Sequence, residues 1–219
     1  MTHYFSRISA TDTGVRDMLA RRATGSYGVH KAMWGLFPND GTKRRDFVYA
    51  VLDDGRTIYC VSAEPPVGTD GLWKVETKEY SPRVEEGDIL RFRICANPTK
   101  ANSSTGKHQR HDVVMDLKRR LRESDEEASM DEIVRRAVVP WIQRKGELNG
   151  FRPLEPELMI HSYTGHESYK AGVQKISFST VVIEGLLEVT DSDAFEKALY
   201  SGIGTAKGFG CGMLMVKRP

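Results

Sequence analysis

The chain has 219 residues, of which 39% are hydrophobic and 28% are charged, and its net charge is only +2. This composition can build one large or two small domains, and so small a net charge does not by itself indicate a polyanionic partner. No apolar run approaches the ~18 residues of a membrane helix, and the first residues lack a signal-peptide core. Three scattered cysteines form no Cys-x-x-Cys pair. We therefore expect a cytoplasmic protein with reduced thiols and no membrane association.

The first half of the chain is predicted to contain short strands and one well-defined helix. Ser26 is a preferred N-cap residue and Pro38 cannot continue a helix, so apolar residues at helical spacing predict a helix over 26–37. Two β-rich runs flank Asp53-Asp54-Gly55, which indicates a hairpin. Strands are predicted at 4–9, 47–52, 57–62, 73–77 and 89–96, and a further helical turn or two at 15–22.

The second half begins with a polar, basic stretch, 98–112, which we interpret as a linker or a mobile binding loop. A basic helix follows at 113–121, and another at 130–145 that Pro140 should break or kink. Asp191 is a preferred N-cap and predicts a helix through residue 200. Strands are predicted at 151–161, 174–189 and 211–216, and a polar loop at 162–172.

Both halves mix strands and helices in a βαβ-like order with hairpins. This order predicts an α+β fold of two domains, each with an antiparallel sheet backed by helices. We place the N-terminal domain at residues 1–97, the basic linker at 98–112 and the C-terminal domain at 113–219.

A glycine-rich loop near the C-terminus contains five glycines among residues 202–212, with Lys207 in the middle. Successive backbone N–H groups in such a loop can form an anion site. The spacing is not that of a P-loop, and the loop follows a helix and enters a strand, the reverse of a Rossmann fingerprint. An extended phosphate backbone suits this loop at least as well as a mononucleotide, and a flexible turn into an edge strand is the alternative.

Basic residues are concentrated between Pro98 and Arg122, where seven Lys or Arg accompany two Asp. Because these cations lack enough interleaved acids for local ion pairing, we favour a face that contacts phosphates over a merely solvated one. Arg91 and Arg93 share the outer face of a predicted strand and are either solvated or phosphate contacts.

Four stretches together resemble a known family. They are Tyr27-Gly-Val-His30 with Lys31-Ala-Met-Trp34-Gly-Leu-Phe-Pro38, residues 91–100 with Ala-Asn-Pro-x-Lys, residues 178–185, and the glycine-rich loop. The chain is similar to the CasE family of guide-RNA-processing endoribonucleases from type I-E CRISPR systems, within the repeat-associated (RAMP) superfamily. The resemblance implies two tandem ferredoxin-like, RRM-like domains, cleavage of CRISPR transcripts at the 3′ base of each repeat hairpin, and assembly with the other Cascade subunits.

The resemblance also implies site residues. The family's catalytic histidine matches His30, and a tyrosine of some members matches Tyr27. Histidine suits metal-independent RNA cleavage because its ordinary pKa of ~6.5 lets it accept or donate a proton near neutrality, and Lys31 could offset charge on the phosphorane. We expect neither metal nor cofactor. The residues assigned to RNA binding are Arg91, Arg93, Lys100, Lys107, Arg110, Lys118, Arg119, Arg120, Lys170, Lys175, Gly204, Lys207, Gly208 and Gly210.

Two alternatives remain open at this stage. A noncatalytic RAMP subunit that only binds guide RNA would keep the glycine loop and the basic faces without needing His30. A general RNA-binding ferredoxin-like domain is less favoured, because the aromatic motif expected of an RRM is missing from the sequence. Cleavage of a repeat RNA separates the three hypotheses.

Overall fold

The computed structural model describes residues 2–14, 26–37, 45–68, 71–102, 109–170 and 174–219. The predicted helix at 15–22 and Lys107 lie outside these ranges. The helices are α1 (Ser26–Trp34), α2 (Val113–Glu123), α3 (Met130–Glu147) and α4 (Ser192–Ser201). The strands are β1 (His3–Ala10), β2 (Phe47–Val51), β3 (Thr57–Ser62), β4 (Trp73–Tyr80), β5 (Ile89–Ala96), β6 (Thr99–Asn102), β7 (Gln109–Asp112), β8 (Phe151–Pro153), β9 (Met159–Lys170), β10 (Gln174–Val189) and β11 (Leu214–Lys217).

The longer strands form two antiparallel sheets that share one strand order. The first sheet has the order β2-β3-β1-β4, and the second has the order β11-β5-β10-β8, with β9 also paired to β10. Numbered within each sheet in chain order, both read 4-1-3-2, the order of a ferredoxin-like sheet. The predicted α+β class with two ferredoxin-like antiparallel sheets is confirmed.

Strand β5 belongs to the second sheet, which corrects the placement of residues 89–97 with the first half of the chain. It pairs with β10 along its whole length and with β11 over its middle. The change of sheet therefore falls between Tyr80 and Ile89 rather than at residue 97. Asn97-Pro98 marks the end of a strand, and the end of a strand carries no information about which sheet the strand joins. The division into two domains itself stays a prediction.

Two further segments differ from the sequence prediction for the same physical reason. Residues 99–102 and 109–112, expected in a linker or mobile loop, pair as the hairpin β6–β7, and residues 162–170, expected in a loop, continue strand β9. Both segments are polar because they pair outside the main core, so they lack the apolar alternation that predicts strands. Helix α3 also runs without a break through Pro140.

The core explains where the glycine-rich loop must lie. Helix α1 covers one face of the first sheet through Met33, and Leu36 and Phe37 just after the helix pack on the same face, whereas α2, α3 and α4 cover the second sheet. Val48 and Ala50, on the other face of β2, pack against Met213 just after the loop. The loop is therefore held between the two sheets.

Asn97 fixes the loop to the end of β5. This buried side chain donates a hydrogen bond from Nδ2 to the backbone oxygen of Ser179 at 2.7 Å, and its Oδ1 accepts one from the hydroxyl of Thr205 at 2.8 Å. The backbone N–H of Gly212 also donates to the Cys95 oxygen at 2.7 Å. The Asn-Pro motif of the sequence thus has a structural role, because one amide joins β5, β10 and the loop.

Asn97→Ala should lower the free energy of unfolding by about 1–3 kcal/mol, because it leaves the buried Ser179 oxygen without a donor. Equilibrium urea unfolding measures this change. Thr205→Val is the matched control: it removes a donor to Asn97 but leaves the Ser179 oxygen paired, so it should cost less. An Asn97→Ala variant as stable as the parent would mean that this amide does not hold the loop.

Candidate functional site

His30, on α1, is hydrogen-bonded to the glycine-rich loop although 178 positions separate them in the sequence. Its Nδ1 lies 2.7 Å from the backbone oxygen of Gly208. A single 3₁₀ turn, Lys207–Phe209, presents that oxygen, and Ala206 before the turn has the left-handed φ of 55° that a non-glycine residue seldom adopts. The predicted catalytic residue and the predicted phosphate loop therefore form one site.

The Gly208 oxygen determines which ring nitrogen of His30 carries the hydrogen. It also accepts a hydrogen bond of 2.8 Å from the hydroxyl of Tyr49, a residue of β2 with no exposed surface. A carbonyl oxygen can only accept, so Nδ1 must hold a hydrogen, and the lone pair of the neutral ring lies on Nε2. The Gly208 oxygen thus makes Nε2 the atom that can take up a proton.

Position 208 requires glycine because the two side chains beside it leave no room for a third. A Cβ atom built there would lie 3.1 Å from Nδ1 of His30 and 3.3 Å from Nη1 of Arg45. Contacts this short force the neighbours to move. The absence of a side chain at Gly208 therefore lets the His30 imidazole and the Arg45 guanidinium approach the loop backbone closely.

Aromatic side chains connect this site to the ribbon formed by β9 and β10. The ring of Phe209 lies 5.6 Å from that of His30 and stacks on Phe178 of β10 with centroids 5.0 Å apart. Phe178 in turn stacks on His166 of β9, also at 5.0 Å. The ribbon formed by β9 and β10 is therefore in contact with the histidine site.

Several cations surround the loop. Nζ of Lys207 donates to the Ser201 oxygen at 2.8 Å, and burial lowers the pKa of Lys207, with further lowering by Arg45 and Lys145. A neighbouring cavity of about 480 Å³ is basic along much of its wall. Its lining includes Lys100, Arg110, Arg144, Lys145, Gly204 and Thr205. Positive charges that lower the pKa of a partly buried lysine favour the binding of an anion beside it.

The structure brings together only part of the predicted set. His30, Lys207, Gly208 and Gly210 meet at the loop, and Gly210 packs against the Tyr49 ring. Lys31 is an exposed residue of α1. The structure describes the backbone of Tyr27 and Lys170 but not their side chains, and Lys175 pairs with Glu167 at 2.7 Å on the ribbon. The role of each of these residues stays a prediction.

The basic helix α2 is less available to phosphates than the sequence suggested. Asp116 forms ion pairs with Lys100, Arg119 and Arg120, and Glu123 forms a second one with Arg119. The expectation that these cations lack local acidic partners is therefore wrong. One carboxylate reaches three cations because the helix and the β6–β7 hairpin converge on it, which linear spacing cannot show.

Three other predicted contacts lie away from the loop. Lys118 lines a separate cavity together with the acidic residues that follow α2. Arg93 forms ion pairs with Asp53, at 2.6 Å, and with Glu184. Arg91 is exposed on the same face of β5. Arg110 and Lys100, in contrast, line the basic cavity beside the loop.

Sequence analysis missed Arg45 and Tyr49, which contact the loop, and Arg144 and Lys145, which line the basic cavity. No short motif contains them. The available signal was for Tyr49 alone, a hydroxyl within an otherwise apolar strand, since a buried tyrosine usually needs a hydrogen-bond partner.

Neither a metal centre nor a membrane span emerges from the described ranges. Within them, no three His, Cys, Asp or Glu side chains lie close enough to hold a metal ion. No described helix is long and apolar enough to cross a membrane.

The fold and this site define a class: α+β proteins with two ferredoxin-like sheets and a glycine-rich loop that holds a histidine. The chain belongs to the CRISPR-associated protein family, because the family model described as "CRISPR associated protein" matches residues 3–218. The CasE subunit of the Escherichia coli K12 CRISPR Cascade system is 28% identical over 96% of this chain and 97% of its own length. The CRISPR-associated endoribonuclease Cse3 of Thermus thermophilus is 29% identical over 64% of this chain and 60% of its own.

Solved structures of relatives have the same fold. Thermus thermophilus Cse3, bound to an RNA representing a pre-cleavage complex, has a TM-score of 0.72 and 22% identity, with 99% of this chain and 100% of that one covered. Cas6e from Escherichia coli K-12 has a TM-score of 0.61 and 26% identity, with coverage of 99% and 100%.

Gly208→Ala should slow RNA cleavage by up to about 10-fold, because its methyl group would push His30 and Arg45 aside by a few tenths of an ångström, and a misplacement of about 1 Å can cost about 10²-fold. Single-turnover rates measure this effect. Gly35→Ala is the matched control, since a Cβ there meets nothing closer than 3.4 Å. Equal cleavage rates for both variants would mean that the packing at Gly208 does not affect the reaction.

Proposed function

We propose that this protein is a metal-independent endoribonuclease that cleaves CRISPR precursor transcripts at the 3′ base of the repeat hairpin. It then keeps the mature guide RNA and acts in the cytoplasm with the other subunits of a type I-E Cascade complex. The names of its relatives support the RNA substrate and the Cascade partners. The observation that carries the chemistry is the hydrogen bond between His30 and the Gly208 oxygen.

The reaction is an internal transesterification. The ribose 2′-oxygen attacks the adjacent phosphorus and the 5′-oxygen of the next nucleotide leaves, which gives a 2′,3′-cyclic phosphate and a 5′-hydroxyl. One proton must leave the 2′-hydroxyl and one must reach the departing oxygen. Nε2 of His30 carries out one of these transfers, because Nδ1 is already committed to Gly208.

The rest of the site binds the substrate. Lys207 and the basic cavity lined by Arg110, Arg144 and Lys145 contact the phosphates that flank the cut. The β9–β10 ribbon holds the hairpin, whose A-form stem is recognised mainly through its shape and backbone. Because the cations and the ribbon contact different parts of the RNA, loss of any one group should leave most of the affinity intact.

His30→Ala should lower the single-turnover cleavage rate by roughly 10²–10⁴, the usual contribution of a general acid or base, and should change hairpin affinity little. Tyr27→Phe should do less harm, since it removes one hydroxyl and keeps the ring. The measurement is rate and affinity for each variant on one repeat RNA. His161→Ala is the matched control for the cleavage rate, because His161 pairs with Glu184 rather than with the loop.

A repeat RNA with a 2′-deoxy sugar just upstream of the scissile phosphate tests the nucleophile in the same assay. It should bind normally and resist cleavage by every variant. If His30→Ala cleaves at the parent rate, the catalytic assignment fails; if that variant loses only affinity, the protein resembles a noncatalytic guide-RNA-binding subunit.

Cleavage should continue in excess EDTA, because the proposed proton transfers need no metal. Single-turnover rates with and without chelator measure this, with a Mg²⁺-dependent nuclease in parallel to show that the chelator is effective. Loss of activity that Mg²⁺ restores would contradict the mechanism.

A further inference from the structure

Arg45 lies beside the catalytic histidine although no sequence motif contains it. It is half-buried, two residues before β2, and its Nη1 and Nδ1 of His30 flank Gly208 from two sides. Both atoms lie within 3.3 Å of the point that a Cβ of Gly208 would occupy. The His30 imidazole and the Arg45 guanidinium therefore lie beside the same residue of the loop.

The charge of Arg45 has no acidic partner in the described ranges. Its Nε is one of two buried side-chain nitrogen or oxygen atoms there that make no hydrogen bond, and no described carboxylate forms an ion pair with it. Burial lowers the pKa of Arg45, and among its neighbours only Tyr49 opposes that change. Lys207 adds a second positive charge nearby. A half-buried guanidinium is costly unless an anion approaches it.

The contrast with the other arginines supports an anion from outside the protein. Arg93 and Arg119 each form ion pairs with two carboxylates. Arg45, which lies beside His30 at Gly208, has none among the described residues. A guanidinium presents its N–H donors in a planar fork that suits the oxygens of a phosphate.

We propose that Arg45 is a further catalytic residue, which donates hydrogen bonds to a non-bridging oxygen of the scissile phosphate. This inference rests on the proposed function. As the bond from the 2′-oxygen to phosphorus forms and the bond to the 5′-oxygen breaks, negative charge accumulates on the non-bridging oxygens. A donor already positioned at one of them lowers the barrier more than it strengthens ground-state binding.

Arg45→Gln should therefore lower the single-turnover rate by roughly 10²–10³, as loss of one oxyanion donor does elsewhere, with hairpin affinity little changed. Arg45→Lys, which keeps the charge but not the fork, should recover part of the rate. Arg56→Gln is the matched control, because Arg56 is exposed at the turn beyond the far end of β2. Thermal melting shows whether each variant is folded.

Phosphorothioate substrates separate contact from positioning. The parent enzyme should cleave one diastereomer of a scissile phosphorothioate more slowly than the other, and Arg45→Gln should reduce this difference. If Arg45→Gln cleaves as fast as the parent enzyme, the proposal is overturned. It is also overturned if Arg45→Gln cleaves slowly but keeps the full difference in rate between the two diastereomers. If the parent cleaves and His30→Ala does not, such a result removes Arg45 alone and leaves the proposed function standing.

Discussion

One backbone oxygen, that of Gly208, organises the site. It accepts hydrogen bonds from His30 on α1 and from Tyr49 on β2, and it belongs to a loop that follows α4. The His30 imidazole is therefore oriented only when the first sheet, its helix and the C-terminal loop are all in place. Such an arrangement makes the tautomer of His30 a consequence of tertiary structure rather than of its neighbours in sequence.

Electrostatics assigns different roles to cations that look alike in the sequence. Asp116 draws together Lys100, Arg119 and Arg120, so α2 and the β6–β7 hairpin are joined partly by these charges. These pairs are exposed and each contributes little to stability. Near the loop, burial lowers the pKa of Lys207, and the charges of Arg45 and Lys145 lower it further. The position of the acids, more than the density of the bases, distinguishes a structural cation from one that can bind RNA.

Most strands and helices could be predicted from local patterns, and the errors have a common cause. Alternating Leu90, Phe92 and Ile94 predicted β5, but not that it joins the second sheet, because pairing depends on long-range topology. Residues 162–170 of β9 could not be predicted as strand, because a polar ribbon lacks apolar alternation. His30 and the loop could be predicted through resemblance to a family. Arg45 and Tyr49 could not, since their role comes from packing beside Gly208.

The proposed chemistry also accounts for retention of the product. The scissile phosphodiester carries one negative charge, and the 2′,3′-cyclic phosphate that replaces it carries one as well. A cut at the 3′ base of the hairpin leaves this group on the hairpin side, so the cations that held the substrate phosphate face the same charge after cleavage. Only the transition state carries more negative charge than substrate or product, so Arg45 and Lys207 stabilise it more than either of them. In this proposal the same cations accelerate the cut and hold the hairpin afterwards, which suits a nuclease whose product becomes part of its own complex.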